Sequence, residues 1–147
     1  MMKEVEEKHN LAKEFLQQVK LFDLNIDSLL EEKAQLEALR DKITSSWGGE
    51  PVSGSGNKDR LGETSAKILD LERKIDKAVD EFVDKKEEVR AVIAKVQHPI
   101  HLELLLKVYI HYHTLEKVAG EMGYSYRNVC YLHGRALQTV TEILKGD

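Results

Sequence analysis

Apolar residues recur at alternating steps of four and three along the first part of the chain: Phe15, Val19, Phe22, Ile26, Leu29, then Leu36 and Ile43. Neither Gly nor Pro interrupts the stretch, so the pattern predicts one long helix over 4–44 carrying a heptad seam. Lys33 and Arg40 fall on that seam. Polar residues in such places cost stability but restrict register and partner choice. The seam resumes at about Thr64 with Ile68, Leu71, Ile75, Ala78, Phe82, Val89, Val92 and Val96, with Lys85 as its polar intruder, and predicts a second helix over 64–97.

Between the two lies SSWGGEPVSGSGNKDRLGE, residues 45–63, rich in Gly and Ser and containing a proline. It reads as a flexible loop that does not continue a helix. Trp47 within it reads as packing at the hairpin tip, with docking of a partner as the sharper alternative. GSGN at 54–57 is not a phosphate loop, because no GK[ST] follows and no strand precedes it.

Two amphipathic helices of comparable length joined in this way fold back most simply as a long antiparallel coiled-coil hairpin, residues 1–97. Further apolar residues lie off the seam: Leu16, Leu21, Leu30, Leu39, Leu69, Val79, Val83 and Ile93. Each large side chain buried contributes roughly 1.5 to 3 kcal/mol, so this surplus predicts a homodimer whose hairpins form a four-helix bundle. Packing of the hairpin on the C-terminal domain of the same chain is the alternative.

His98-Pro99 ends the arm, since Pro disfavours helix in the residue before it and suits the first helical position. An apolar helix with Ile100, Leu104 and Val108 should run to about His111, followed by the break Tyr112-His113-Thr114. Thr114 is a credible N-cap, with Glu116 in the first turn where the helix dipole favours an anion. Leu115, Val118, Ala119 and Met122 make the inner stripe of a short helix. Gly123 stands where a left-handed residue commonly ends a helix, and Ser125 can cap the next one. In that last helix Val129, Leu132, Ala136, Leu137 and Val140 point inward. Tyr126, Arg127, Asn128, Cys130, Tyr131, Gly134 and Arg135 are left for the outside.

This order is the layout of a helix-turn-helix, whose second helix enters the major groove with its N-terminal residues toward the base edges. Arg127 is the best placed reader, because a guanidinium can bond O6 and N7 of guanine together. Asn128 suits adenine or a phosphate, and the two tyrosines suit thymine methyls or phosphates. Arg135 is better placed for the backbone, where a contact positions without specifying. The candidate DNA-binding set is Thr114, Ser125, Tyr126, Arg127, Asn128, Cys130, Tyr131 and Arg135.

Composition narrows the classes. A charged fraction of 33%, aromatic residues at 6% and two prolines suit long solvated helices and an all-α fold. The apolar runs are short and the start MMKEVEEKHN is charged, which predicts a cytoplasmic protein without a membrane segment. The single cysteine forms no internal disulfide. Residues 98–147 balance five Lys or Arg against five Asp or Glu, so the net charge of -4 lies upstream and one copy should bind DNA weakly. Five histidines, His98, His101, His111, His113 and His133, lie in this part with Cys130. They lack a convergent arrangement for zinc, and exposed or phosphate-contacting roles fit them better. Their titration near neutrality would make DNA affinity fall as pH rises. No catalytic constellation, metal site or cofactor site is expected, so the chain does not read as an enzyme.

YSYRNVCYLHGRAL, residues 124–137, resembles the second half of region 4 of bacterial sigma factors, the part that reads the upstream promoter element. The matching features are Ser125, Val129, Leu132-His133 and Arg135-Ala136-Leu137, with Thr114 to Gly123 standing for the preceding helix. The likeness runs from Ile100 to Leu144, and no segment resembles the sigma region that melts promoters. Through AKEFLQQVKLFD, GSGNKDRLGETSAKILDLERKID and GYSYRNVCYLHGRAL the chain also resembles a family of small phage and prophage proteins of Gram-positive bacteria described as transcriptional regulators. ArpU- and RinA-type late-gene activators are their functional analogues. The resemblance implies regulation of phage genes on double-stranded DNA, with RNA polymerase as a possible partner. Two rivals remain: a DNA-recognition subunit of phage DNA packaging, like a small terminase, and a coiled-coil adaptor without DNA binding.

Overall fold

Helices form where the apolar spacing is unbroken, and Pro99 and Gly123 mark two of their boundaries. The computed structural model describes the backbone of residues 2–46 and 55–146 and the side chains of 11–46 and 56–146. All its elements are helical: α1 (Met2–Ser45), α2 (Ser55–Ala94), α3 (Pro99–Leu105), which runs on into a π-helical turn (Leu106–Ile110), α4 (Leu115–Met122) and α5 (Tyr126–Gly146). No described helix is long and apolar enough to cross a membrane.

The expected loop over 45–63 is shorter than its composition suggests, because α2 begins at Ser55 rather than near Thr64. The reason lies in the seam. Leu61 is half-buried and Thr64 buried, and with Ile68 and Leu71 they continue the three-four spacing upstream. That inward face holds the helix through Gly56 and Gly62, each of which costs about 1 kcal/mol relative to Ala. A Cβ at either glycine would meet nothing within 4 Å, so neither is required by packing. Trp47 and the rest of the connection lie outside the described residues. At its far end α2 stops at Ala94 rather than Gln97. Tighter hydrogen bonds close it, Lys95 N–H to Val92 O at 3.1 Å and Val96 N–H to Ile93 O at 2.9 Å.

The chain divides into two compact units, Asp23–Glu81 and the combination of Met1–Phe22 with Phe82–Asp147. This division differs from the boundary expected between 97 and 98. In the first unit Ile26, Ile43, Ile68, Leu71 and Ala78 are buried, all on the predicted seam. Lys33, the seam's polar interruption, lies 3.4 Å from Glu72 and 3.7 Å from Glu37, so its charge is met on both helices. Leu24, Leu30, Leu39, Leu69 and Val79 of this unit remain exposed.

The second unit holds the main core. Ala12, Leu16 and Val19 of α1 and Val89, Ile93 and Val96 of the α2 end are buried in one cluster with Leu104, Leu105, Tyr109, Ile110, Val118, Val129, Ala136, Leu137 and Val140. Leu16 and Ile93, counted above as surplus to the seam, are therefore fully buried. In this unit the ends of α1 and α2 bury residues both on and off the seam, in one cluster with residues of α3, α4 and α5. Leu21 and Val83 stay exposed.

Truncating Leu104, which has no exposed surface, to Ala should destabilise the protein by about 2 to 5 kcal/mol, whereas Leu21→Ala should change stability by less than about 0.5 kcal/mol. Urea denaturation of the two variants beside wild type checks the contrast.

Candidate nucleic-acid interface

The local chemistry of residues 111–130 explains why two helices meet at a sharp turn. Thr114 has extended backbone (φ -71, ψ 157), and its side chain accepts the Lys117 N–H at 3.1 Å, while Val118 N–H reaches Thr114 O at 3.0 Å. Gly123 ends α4 in the left-handed region at φ 73, with its N–H bonded to Ala119 O. Tyr124 N–H shares that carbonyl at 3.0 Å. Ser125 then caps α5: its Oγ accepts the Asn128 N–H at 3.1 Å, and its carbonyl accepts the Val129 N–H at 3.0 Å. Side-chain oxygens thus satisfy helix-end donors that would otherwise lack partners.

Burial of Val129, Ala136, Leu137, Val140 and Thr141 sets the rotation of α5. The opposite face carries Arg127, Tyr131 and Arg135 at intervals of four, a stripe spanning roughly 12 Å of helix. All three are exposed, as are Tyr126 and Asn128 at the helix start. Tyr126 is 53% and Tyr131 61% exposed, high values for side chains of that size. Arg135 stays close to Tyr131, with Nη1 3.5 Å from the hydroxyl and the guanidinium carbon 5.9 Å from the ring centre. Cys130, expected on the outside, is half-buried and unpaired by disulfide. Its proximity is the main influence raising the hydroxyl pKa of Tyr126, one turn earlier on the helix. Thr114 and Ser125 are exposed, with their hydroxyl oxygens engaged in capping. The eight candidate residues are therefore not one constellation: five form the outer face of α5, two are caps and one is a half-buried thiol.

Contacts that sequence spacing does not disclose hold this platform. The π-helical turn is closed by His111 N–H to Leu106 O at 3.1 Å, and His113 N–H reaches Lys107 O at 2.9 Å. Tyr112 follows at φ 60, a backbone conformation uncommon for a bulky side chain. Lys107 pairs with Glu121 of α4, and His113 Nδ1 lies 2.9 Å from the other oxygen of that carboxylate. The hydrogen bond from Lys107 is the main influence holding the Glu121 carboxyl below the usual range, helped by the charge of His113. A second cross-link runs to α5: Tyr109 Oη and His133 Nε2 are 2.7 Å apart, with their rings stacked at 5.8 Å. Burial pushes the Tyr109 hydroxyl pKa upward, so it stays protonated throughout the neutral range.

Near the start of α3 the His98 and His101 rings stack 4.1 Å apart. Burial, the neighbouring His98 and the Arg135 charge together lower the His101 pKa. No group of three or more His, Cys, Asp or Glu among the described residues is arranged to hold a metal ion. No protein-family model, no curated protein and no solved structure matches this chain.

Two predictions follow from the turn and its brace. A Cβ at Gly123 would meet nothing within 4 Å, so Gly123→Ala should cost about 1 to 2 kcal/mol from backbone conformation alone; Ser125→Ala should cost about 1 kcal/mol. Thermal unfolding of both variants reads these values. The lowered Glu121 pKa means that its pairing stabilises the fold above the unfolded carboxyl pKa and is lost as pH falls through the folded one. Glu121→Gln should therefore lose stability near neutrality and show a shallower acid decline than wild type in denaturation midpoints measured across pH.

Proposed function

We propose that this chain is a sequence-specific DNA-binding regulator of phage or prophage transcription, a binding protein rather than an enzyme, that acts at promoters with RNA polymerase. The observation that carries the reading is the exposed start of α5. A capped helix behind a left-handed glycine presents Tyr126, Arg127 and Asn128 to solvent, with Tyr131 and Arg135 on the turns behind. In a helix-turn-helix those first positions face base edges, and later ones meet the phosphate backbone. Arg127 reads guanine, and Asn128 reads adenine or fixes a phosphate.

The sigma-like region 4 reading is supported by the order of capped α4, glycine turn and capped α5. An antiparallel coiled-coil arm is supported by the buried seam and by cross-helix neighbours of opposite sequence order: Asn25 and Leu29 share a cleft with residues 74–81, while Lys33 meets Glu72. Exposed Leu24, Leu30, Leu39, Leu69 and Val79 supply the apolar surface for a homodimer. Two copies also answer the neutral charge of residues 98–147, because each copy gains little from counterion release.

Selection of bound duplexes from a random pool tests the reading, with wild type beside Arg127→Ala. The expected result is a motif of two half-sites spaced by about one helical turn, on the order of 34 Å, in which the variant loses guanine preference by about 1 to 3 kcal/mol. Equal enrichment by both proteins would remove Arg127 as reader. Absence of any enriched sequence would contradict the function.

A further inference from the structure

The π-helical turn changes which residues face the core. Leu104 and Leu105 are buried at the end of α3, and α-helical spacing would bring Val108 in next. The buried residues are instead Tyr109 and Ile110, five positions on, while Val108 is only half-buried. A five-residue interval is the repeat of i→i+5 hydrogen bonding, and His111 N–H to Leu106 O at 3.1 Å is such a bond. The turn therefore exchanges a valine for a tyrosine at this point of the core.

Tyr109 is buried, and its hydroxyl oxygen lies 2.7 Å from His133 Nε2 of α5. His133 stands in the inward row of that helix, four residues after Val129 and four before Leu137, both of which are buried. Apolar contacts are non-directional, so these two neighbours oppose exposure more strongly than they oppose a small slide or rotation of the helix. A hydrogen bond between groups withdrawn from water is directional, and breaking it costs the desolvation of what is left behind. The Tyr109–His133 pair thus adds a fixed point to a face otherwise held by packing. Polar pairs set in apolar seams can fix register in this way. Arg127 lies six residues before His133 on the same helix, so the register of the imidazole is also that of the guanidinium.

We propose that the π-helical turn sets the register of the base-reading helix, with Tyr109 and His133 as positioning residues for recognition of guanine by Arg127. This role rests on the DNA-binding reading above and adds to it two residues that act without touching DNA. A two-pronged guanidinium contact tolerates little displacement, whereas long side chains on the phosphate backbone can adapt. Loss of the pair should lower affinity for the enriched sequence and spare affinity for a mixed-sequence duplex.

The experiment compares wild type with Tyr109→Phe, His133→Leu, the double variant and His133→Gln, each shown by circular dichroism to be folded at the binding temperature. Gln keeps a hydrogen-bonding amide within reach of the Tyr109 hydroxyl. Binding of the enriched duplex and of a mixed-sequence duplex is read by anisotropy, and the backbone amide signals of the free proteins by NMR. In Tyr109→Phe and His133→Leu the ratio of the two affinities should fall by at least about fivefold. The double variant should fall no further than either single one, because both remove the same interaction. His133→Gln should stay close to wild type. In free Tyr109→Phe the amide signals of Tyr126, Arg127 and Asn128 should shift. A folded Tyr109→Phe that keeps the wild-type ratio, or leaves those three amides unmoved, would overturn the positioning role, even if it melted earlier, since a purely structural pair would cost stability alone. Enrichment of no sequence by wild type would overturn both this role and the DNA-binding reading on which it rests.

Discussion

Burial of Val129, Ala136, Leu137 and Val140 against the shared core determines what α5 can present to a partner. These side chains occupy one side of a helix whose other side then has to carry Arg127, Tyr131 and Arg135. Rotating α5 by a single residue would move the stripe and bury a charge, at a cost well beyond the value of any surface contact. The rest of the unit serves this placement. Gly123 and Ser125 set where the helix begins, the Tyr109–His133 hydrogen bond ties its middle to the π-helical turn, and Lys107, His113 and Glu121 tie that turn to α4.

The same core links the long helices to the candidate interface. Leu16 and Ile93 are buried beside Leu104 and Val118, so the ends of α1 and α2 are part of the unit that carries α5. The distinction between an arm and a separate small domain therefore does not follow the proline at 99. It follows the apolar surface: in the unit that holds α3–α5 the ends of the long helices bury residues on and off the seam, and within residues 23–81 the buried residues lie on the seam while several leucines remain in solvent.

Patterns that depend on a single helix were legible in the sequence. Val19, Ile26, Ile43, Ile68, Leu71, Ala78, Val89 and Val96 are buried where the three-four spacing puts them. The capping roles of Thr114 and Ser125 and the left-handed Gly123 follow from side-chain chemistry within a few residues. Features that need a second element were not legible. Leu16 and Ile93 looked surplus because their partners lie more than a helix away in sequence. The early start of α2 was hidden by glycines whose cost the inward face of Leu61 and Thr64 offsets. The π-helical turn and the left-handed Tyr112 have no local residue signature, and the pairing of Lys107 with Glu121 appears only once α3 and α4 are packed. At the candidate site, spacing identified the outer face of α5 but misplaced Cys130, which sits at the edge of the buried stripe rather than opposite it.

The proposed surface for DNA is the outer face of α5. Amide chemical-shift mapping with a duplex carrying the enriched sequence tests it most directly, because every residue reports on its own surroundings. Shifts should concentrate on Tyr126, Arg127, Asn128, Tyr131 and Arg135, with the surface of α1 and α2 within residues 23–81 unchanged. Shifts confined to that surface, with α5 silent, would contradict it.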